Sequence, residues 1–305
     1  METFTRNGHT FQRWKIGAST YTACMERGAR LMRWELDLPS GRREIIHWPD
    51  DADLADIATV PGGNLILFPF AGHCCADGAK SAWSDAGGVV RPMPRHGLAH
   101  QGRFQLTHAT SSSAGALFHP DATARESYPF ACAFHVRYTF GELALECELE
   151  LANLDAQPIP WSAGHSFHFR IPWHPGLSRA DYTLDIPAKK TWRHSADGKL
   201  SPFPGVPRPA TLNDPALNET IHSKLKSNTA TFGPKSGEED IRIQLGDDPI
   251  PDTWASLVTW AGPNKSPFYC IAPWMGPPNS PGHKNGLHWI PPSQSEKFHV
   301  SLTLA

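Results

Sequence analysis

LALECELELANL, residues 143 to 154, alternates apolar and acidic side chains with a period of two. Leu143, Leu145, Cys147, Leu149 and Leu151 fall on one face of an extended chain, and Glu146, Glu148 and Glu150 on the other. This is the pattern of a strand half-buried in an antiparallel sheet. Alternation, or enrichment in β-branched and aromatic residues, recurs in FHVRYTF (134–140), DIRIQL (240–245), SLVTWAG (256–262) and KFHVSLTL (297–304), which read as further strands. No dozen-residue window shows helical spacing of apolar side chains, and 29 prolines and 25 glycines punctuate the runs. The chain is therefore expected to be all-β, with many short strands joined by irregular loops.

At 305 residues the chain exceeds an average domain but suits a large β-sandwich, so a single domain spanning residues 1–305 is expected. The longest stretch without periodicity, residues 178 to 235, reads as loops and edge strands crossing one mouth of the sandwich. It is not read as a linker, because apolar strands resume after it. A net charge of -2, with like charges in runs of two or three at most, argues against a nucleic-acid face or a polybasic membrane patch. Six cysteines without CxxC spacing, and an N-terminal METFTRNGHT lacking an apolar core, point to a reducing, cytoplasmic setting. No apolar run approaches the ~20 residues of a membrane-spanning helix.

Four segments carry candidate chemistry: GGNLILFPFAGH (62–73), MPRHGLAH (93–100), SAGHSFHF (162–169) and IAPWMGPPNS (271–280). In this order and spacing they resemble the aldose 1-epimerase (galactose mutarotase-like) family, and the resemblance runs from GARLMRWEL (28–36) to the end of the chain. It implies a β-supersandwich of antiparallel sheets with a sugar cleft on one concave face. It also implies an isomerase that interconverts the α and β anomers of an aldose, without a cofactor, as a monomer or weak homodimer. Its partner would be a monosaccharide or related carbohydrate. Asn64 and Pro69 stand at their expected places, while the arginine that usually ends the first segment is His73. His96 and Gly97, preceded by Arg95, match the family's sugar-binding pair, with His100 where an arginine is common. His165 falls on the family's general acid. Pro273, Trp274 and Gly276 match the C-terminal segment, but the glutamate that serves as base is replaced by Ala272.

Mutarotation needs a base to take the anomeric hydroxyl proton and an acid to protonate the ring oxygen, after which the ring opens, rotates and recloses. A histidine suits the acid role because its ordinary pKa is ~6.5. On this reading His165 is the acid, His96 orients the sugar, and His73, Arg95, His100, Trp274 and Asn64 bind it. His73, His100 and His168 are equally readable as structural, and His108, His119, His135 and His299 are read as structural. Trp161, Trp173 and Trp260 could stack on a sugar face or belong to the core. Losing one acid/base participant lowers the rate on the order of 100- to 10,000-fold, so a substitute base is needed, for which His73 and Glu126 are candidates. Arg95 and Arg170 remain as contacts for an anionic group. Two alternatives stay open: a non-catalytic carbohydrate-binding protein on the same scaffold, and a metal site made by His73, His96 and His165.

Overall fold

The alternating stretch forms the strand Ala144–Asn153 at the middle of one of two large antiparallel sheets. The structure is a computed structural model that describes residues 1–195, 197–237, 239–247, 252–262 and 266–305. Leu145, Cys147, Leu149 and Leu151 are wholly buried, each leucine contributing about 1.5–3 kcal/mol. Their acidic neighbours line the outer face, where Arg137 bridges Glu148 and Glu150 at 2.5 Å each and Lys297 reaches Glu148 at 3.0 Å. Such cross-strand pairs hold register on the wet side of a sheet. Leu143 departs from expectation: it precedes the strand and is exposed.

Among the described residues this sheet has nine strands, running in space Arg103–Ala109, Ser113–His119, Cys132–Phe140, Ala144–Asn153, Ser295–Leu304, Ile241–Leu245, Thr229–Pro234, Tyr182–Asp185 and Ala210–Thr211. The other has twelve. Its N-terminal strands Glu2–Arg6 through Gly41–Ile46 lead to Gly164–Arg170, then Phe268–Trp274, Ser256–Trp260, Thr220–Leu225, Ala188–His194 and Leu200–Phe203, with Asn64–Leu67 pairing Gly164–Arg170 and Arg30–Leu38. The sheets face each other across one apolar cluster. Trp14 packs on Phe140, and Phe169 on Phe232, with centroids 4.4 and 4.7 Å apart. The result is the β-sandwich of antiparallel sheets that the sequence implied.

The stretch 178–235 behaves differently from expectation. It supplies paired strands to both sheets, and among the described residues only Leu200–Phe203 and Ala210–Thr211 of these are edges. In Thr220–Leu225 the first four residues are all buried. Their polar members are satisfied locally: His222 pairs with Thr259 at 3.1 Å, and Ser223 accepts from the Trp192 indole at 2.9 Å. A strand covered on both faces has no reason to alternate, so its pattern is invisible to a period-two reading. The six cysteines are free thiols. Among the described residues no helix is long and apolar enough to cross a membrane.

Candidate functional site

The outer face of the twelve-stranded sheet, opposite the sandwich core, floors a cleft of about 660 Å3. Register defines its floor. Leu65 pairs with Ser166, Ala272 with Val258, and Val258 with Ile221, while Ser166 falls opposite Ala272 because Phe167 pairs with Ile271 and Gly164 with Trp274. One step along the strands, His168 pairs with Cys270 and Cys270 with Trp260. Glu219 comes next, because its neighbour Thr220 pairs with Thr259. The cleft is lined by Leu65, Ser166, Ala272, Val258 and Ile221 in the first row and by His168, Cys270, Trp260 and Glu219 in the second.

Period-two geometry also decides which residues of Gly164–Arg170 cannot reach it. Ser166 and His168 face the cleft; His165, Phe167 and Phe169 face the core. The His165 ring, wholly buried, stacks on Phe167 and on Phe298 of the opposite sheet with centroids 5.4 and 6.1 Å away. The Asn64 amide donates to His165 Nδ1 at 3.0 Å and to the Tyr138 hydroxyl at 3.2 Å, and that hydroxyl donates to the Ala29 carbonyl. His165, expected as the general acid, and Asn64, expected to bind the sugar, are instead members of a polar bridge between the sheets. Among the described residues the His165 Nε2 has no partner, and burial, then His299, pushes the ring down to about 3.

Of the other expected residues, His73, Arg95, His96, Trp274 and Ala272 do line the cleft. His100 lies behind it, buried, its ring 6.3 Å from that of His96. Glu126, on the helix Ala122–Ser127, is exposed and away from the cleft lining. Arg170 pairs with Glu44 at 3.9 Å. Trp161 is core, its indole donating to Glu296, and Trp173 is buried, whereas Trp260 faces the cleft. The three-histidine metal reading fails on geometry, because His165 points to the other side of the sheet. Among the described residues no group of three or more His, Cys, Asp or Glu side chains is placed to hold a metal ion.

His96 is held by a loop folded over the end of the strand Asn64–Leu67. Its amide donates to the Gly72 carbonyl at 2.7 Å, and the Leu98 amide to the Phe68 carbonyl at 2.6 Å. Gly97, at φ +77°, lies so close that a Cβ would be 2.0 Å from that carbonyl, so glycine is required here. The Gly72 amide donates to His96 Nδ1 at 3.2 Å. The ring proton therefore resides on Nε2 in the neutral form. Burial, then Arg95, holds His96 well below the usual histidine range, so the neutral form prevails near pH 7. Its ring meets the Trp274 indole edge-on at 5.8 Å.

His168 has the complementary polarity. Its Nδ1 lies 3.1 Å from the Gly63 carbonyl, which can only accept, so the neutral ring bears its lone pair on Nε2. Burial, then Arg30, pushes this ring down to about 3. Buried Arg30 also donates to the Val60 and Gly62 carbonyls at 2.5–3.1 Å, which fixes the neighbouring wall Ala58 to Pro61. The opposite wall comes from the segment that sequence reasoning could not read: Arg193, His194, Ser195, Glu219 and Ile221. A signal for His168 did exist. In HSFHF the polar residues 166 and 168 alternate with Phe167 and Phe169, which groups His165 with the core. For Glu219 and Arg193 there was none.

Known proteins share this architecture and sequence pattern. A galactose mutarotase-like protein from Clostridium acetobutylicum superposes with a TM-score of 0.80 at 16% identity, covering 100% of this chain and 98% of that one. A galactose mutarotase related enzyme from Lactobacillus acidophilus gives 0.78 at 18% identity, with 97% of each chain covered. At such identities the likeness is one of fold. The chromosomal LacX protein of Lactococcus lactis subsp. lactis is 24% identical over 223 residues, 69% of this chain and 73% of that protein. With the sequence pattern of the aldose 1-epimerases matching residues 13–235, well over half of its length, the chain belongs to the aldose 1-epimerase family.

Proposed function

We propose that the protein binds an aldose in this cleft and interconverts its anomers by acid/base ring opening. The observation that carries the reading is the pairing of two neutral imidazoles of opposite polarity, His96 and His168, on a floor flanked by Trp260 and Trp274. The indoles offer apolar faces to the C–H side of a sugar ring. His96 presents Nε2–H to the ring oxygen, and neighbouring Arg95, which disfavours the imidazolium, makes the neutral N–H a better donor. In the ring-opening step the anomeric hydroxyl loses its proton to a base and forms the aldehyde C=O. The C1–O5 electron pair moves to the ring oxygen, which takes the His96 proton, and both protons return on reclosure.

At residue 272, a methyl group can accept no proton, and this favours a second reading in which the cleft binds carbohydrate without turnover. Polarimetry or NMR exchange on freshly dissolved α-D-glucose and α-D-galactose, with calorimetric titration of the same sugars, separates the two. The epimerase reading expects relaxation to the equilibrium mixture faster than in buffer and in proportion to protein. Saturable binding with unaltered relaxation would replace it with the binding reading.

A further inference from the structure

We propose that Glu219 is the general base of this cleft, taking the anomeric hydroxyl proton in place of the carboxylate that residue 272 lacks. The proposal rests on the epimerase reading and adds to it the residue that completes the chemistry. Glu219 is the one carboxylate among the described residues that line the cleft. It is exposed to the cleft space, and among the described residues its side chain has no hydrogen-bond or ion-pair partner. Nearly every other partly buried carboxylate is engaged: Glu44 with His47 and Arg33, Glu239 with Arg43 and His174, Glu296 with His288 and Trp161.

The backbone places this carboxylate deliberately. Glu219 has φ +54°, a left-handed conformation that a non-glycine residue adopts only where its surroundings impose it. The surroundings here are a clamp. The Thr220 hydroxyl donates to the Ala216 carbonyl at 2.5 Å, the Thr259 hydroxyl donates to the Leu217 carbonyl, and the Ala261 amide donates to Asn218 Oδ1 at 3.0 Å. The first bond ties the turn 216–219 to the strand Thr220–Leu225, the second to Ser256–Trp260 and the third to Ala261 just beyond it. The turn thus projects Glu219 from the end of the row His168, Cys270, Trp260, across the floor from His96.

Two neighbours make a carboxylate useful there. Glu219 is near enough to His73 to oppose the burial that lowers its proton affinity, and near enough to Arg193 to act on it too. Arg193 is itself anchored, donating to the Ala216 carbonyl at 3.2 Å with its guanidinium 4.3 Å over the Phe203 ring. A sugar bridging from His96 to this wall would have an N–H donor at one end and a carboxylate at the other. In the step proposed, a Glu219 Oε takes the O1 proton as C1=O1 forms and C1–O5 breaks, and the ring oxygen takes the His96 proton. The enzyme is regenerated when both return on reclosure. The competing base is His168, whose Nε2 lone pair faces the same floor.

Mutarotation of α-D-glucose and α-D-galactose by wild type, Glu219→Gln, Glu219→Ala, His168→Gln and the double variant Glu219→Gln/Ala272→Glu tests the assignment, with circular dichroism of each variant confirming the fold. We expect Glu219→Gln to lower kcat on the order of 100- to 10,000-fold with little change in KM. Formate should restore part of the Glu219→Ala loss, and the Ala272→Glu change should recover at least about tenfold in the Glu219→Gln background, a fraction of what a base contributes. A folded Glu219→Gln variant within about threefold of wild type, against the 100-fold or more of a lost base, would overturn the role of Glu219 alone. So would a larger loss in His168→Gln than in Glu219→Gln, which would make His168 the base. A wild type that binds these sugars without speeding their mutarotation would overturn both Glu219 and the epimerase reading.

Discussion

The two walls of the cleft were written in different ways. One is made by Asn64–Leu67, Gly164–Arg170, Phe268–Trp274 and the loop carrying His96, and its sequence holds every motif that resembles the family. It is also the wall on which the resemblance places two departures, His73 for an arginine and Ala272 for a carboxylate. The other wall, from Ala188–His194, the turn at 216–219 and Thr220–Leu225, carries no motif, yet it holds the guanidinium of Arg193 and the carboxylate of Glu219. The contrast separates a site's inventory from its addresses. Arg193 and Glu219 reach the cleft from the strand Ala188–His194 and the turn leading into Thr220–Leu225, strands separated from Phe268–Trp274 by Ser256–Trp260, so the charges of this wall stand at different addresses from those of the first.

The largest effect that would test this contrast is on the first wall. His96→Ala is expected to lower kcat/KM by about 100- to 10,000-fold, the range for removing an acid/base group, in the same polarimetric assay. A loss of less than about threefold, far below that range, would strip the motif-bearing wall of its catalytic part. Next in size is the face test on a single strand. His165→Leu should alter stability by about 1–3 kcal/mol, the scale for disturbing a buried polar partner, while leaving turnover nearly intact. Abolished turnover in a variant with wild-type urea unfolding would put His165 in the site and break the assignment of faces.

The buried histidines sharpen the comparison through pH. His165, His168 and His222 are pushed down to about 3, and His100 and His194 to about 4, chiefly by burial. In the unfolded chain they protonate near the ordinary ~6.5. Between those limits the unfolded state binds more protons, so stability is full above about pH 6.5 and falls as the pH drops toward 3–4. Each such ring contributes a slope of about 1.4 kcal/mol per pH unit. Urea unfolding from pH 7 to 5 should show this decline, with His165→Leu shallower by one ring's share; a flat profile would mean these rings are hydrated. The smallest effect belongs to the floor between the walls. Trp260→Ala should raise KM by about two- to tenfold, as lost aromatic stacking of 0.5–1.5 kcal/mol implies, with kcat little changed. An unaltered KM would place the sugar away from Trp260.

Much of the architecture was legible because it is written locally. Strand Ala144–Asn153 alternates since one face meets the core and the other meets water, and the same holds for Cys132–Phe140 and Ser295–Leu304. Thr220–Leu225 was illegible because both of its faces are covered, and Leu143 was misread because it lies one residue outside the strand it seemed to begin. At the site, the sequence marked His73, Arg95, His96, Ala272 and Trp274 as members of one place, and all five line the cleft. Matching a motif's histidine to His165 was not enough, because a one-residue choice along a strand exchanges the core for the cleft, and His168 took the cleft side.

What the sequence determined by itself was the sandwich, the family, and the identity of the motif-bearing wall, since hydrophobic period and ordered motifs are properties of contiguous residues. What only the tertiary structure decided was which histidines face the cleft and which carboxylate lines it. Those depend on the register between strands far apart in the chain: Gly164–Arg170 against Phe268–Trp274, and Thr220–Leu225 against Ser256–Trp260. Register is set by packing of the whole sheet against its partner, so no single segment contains it.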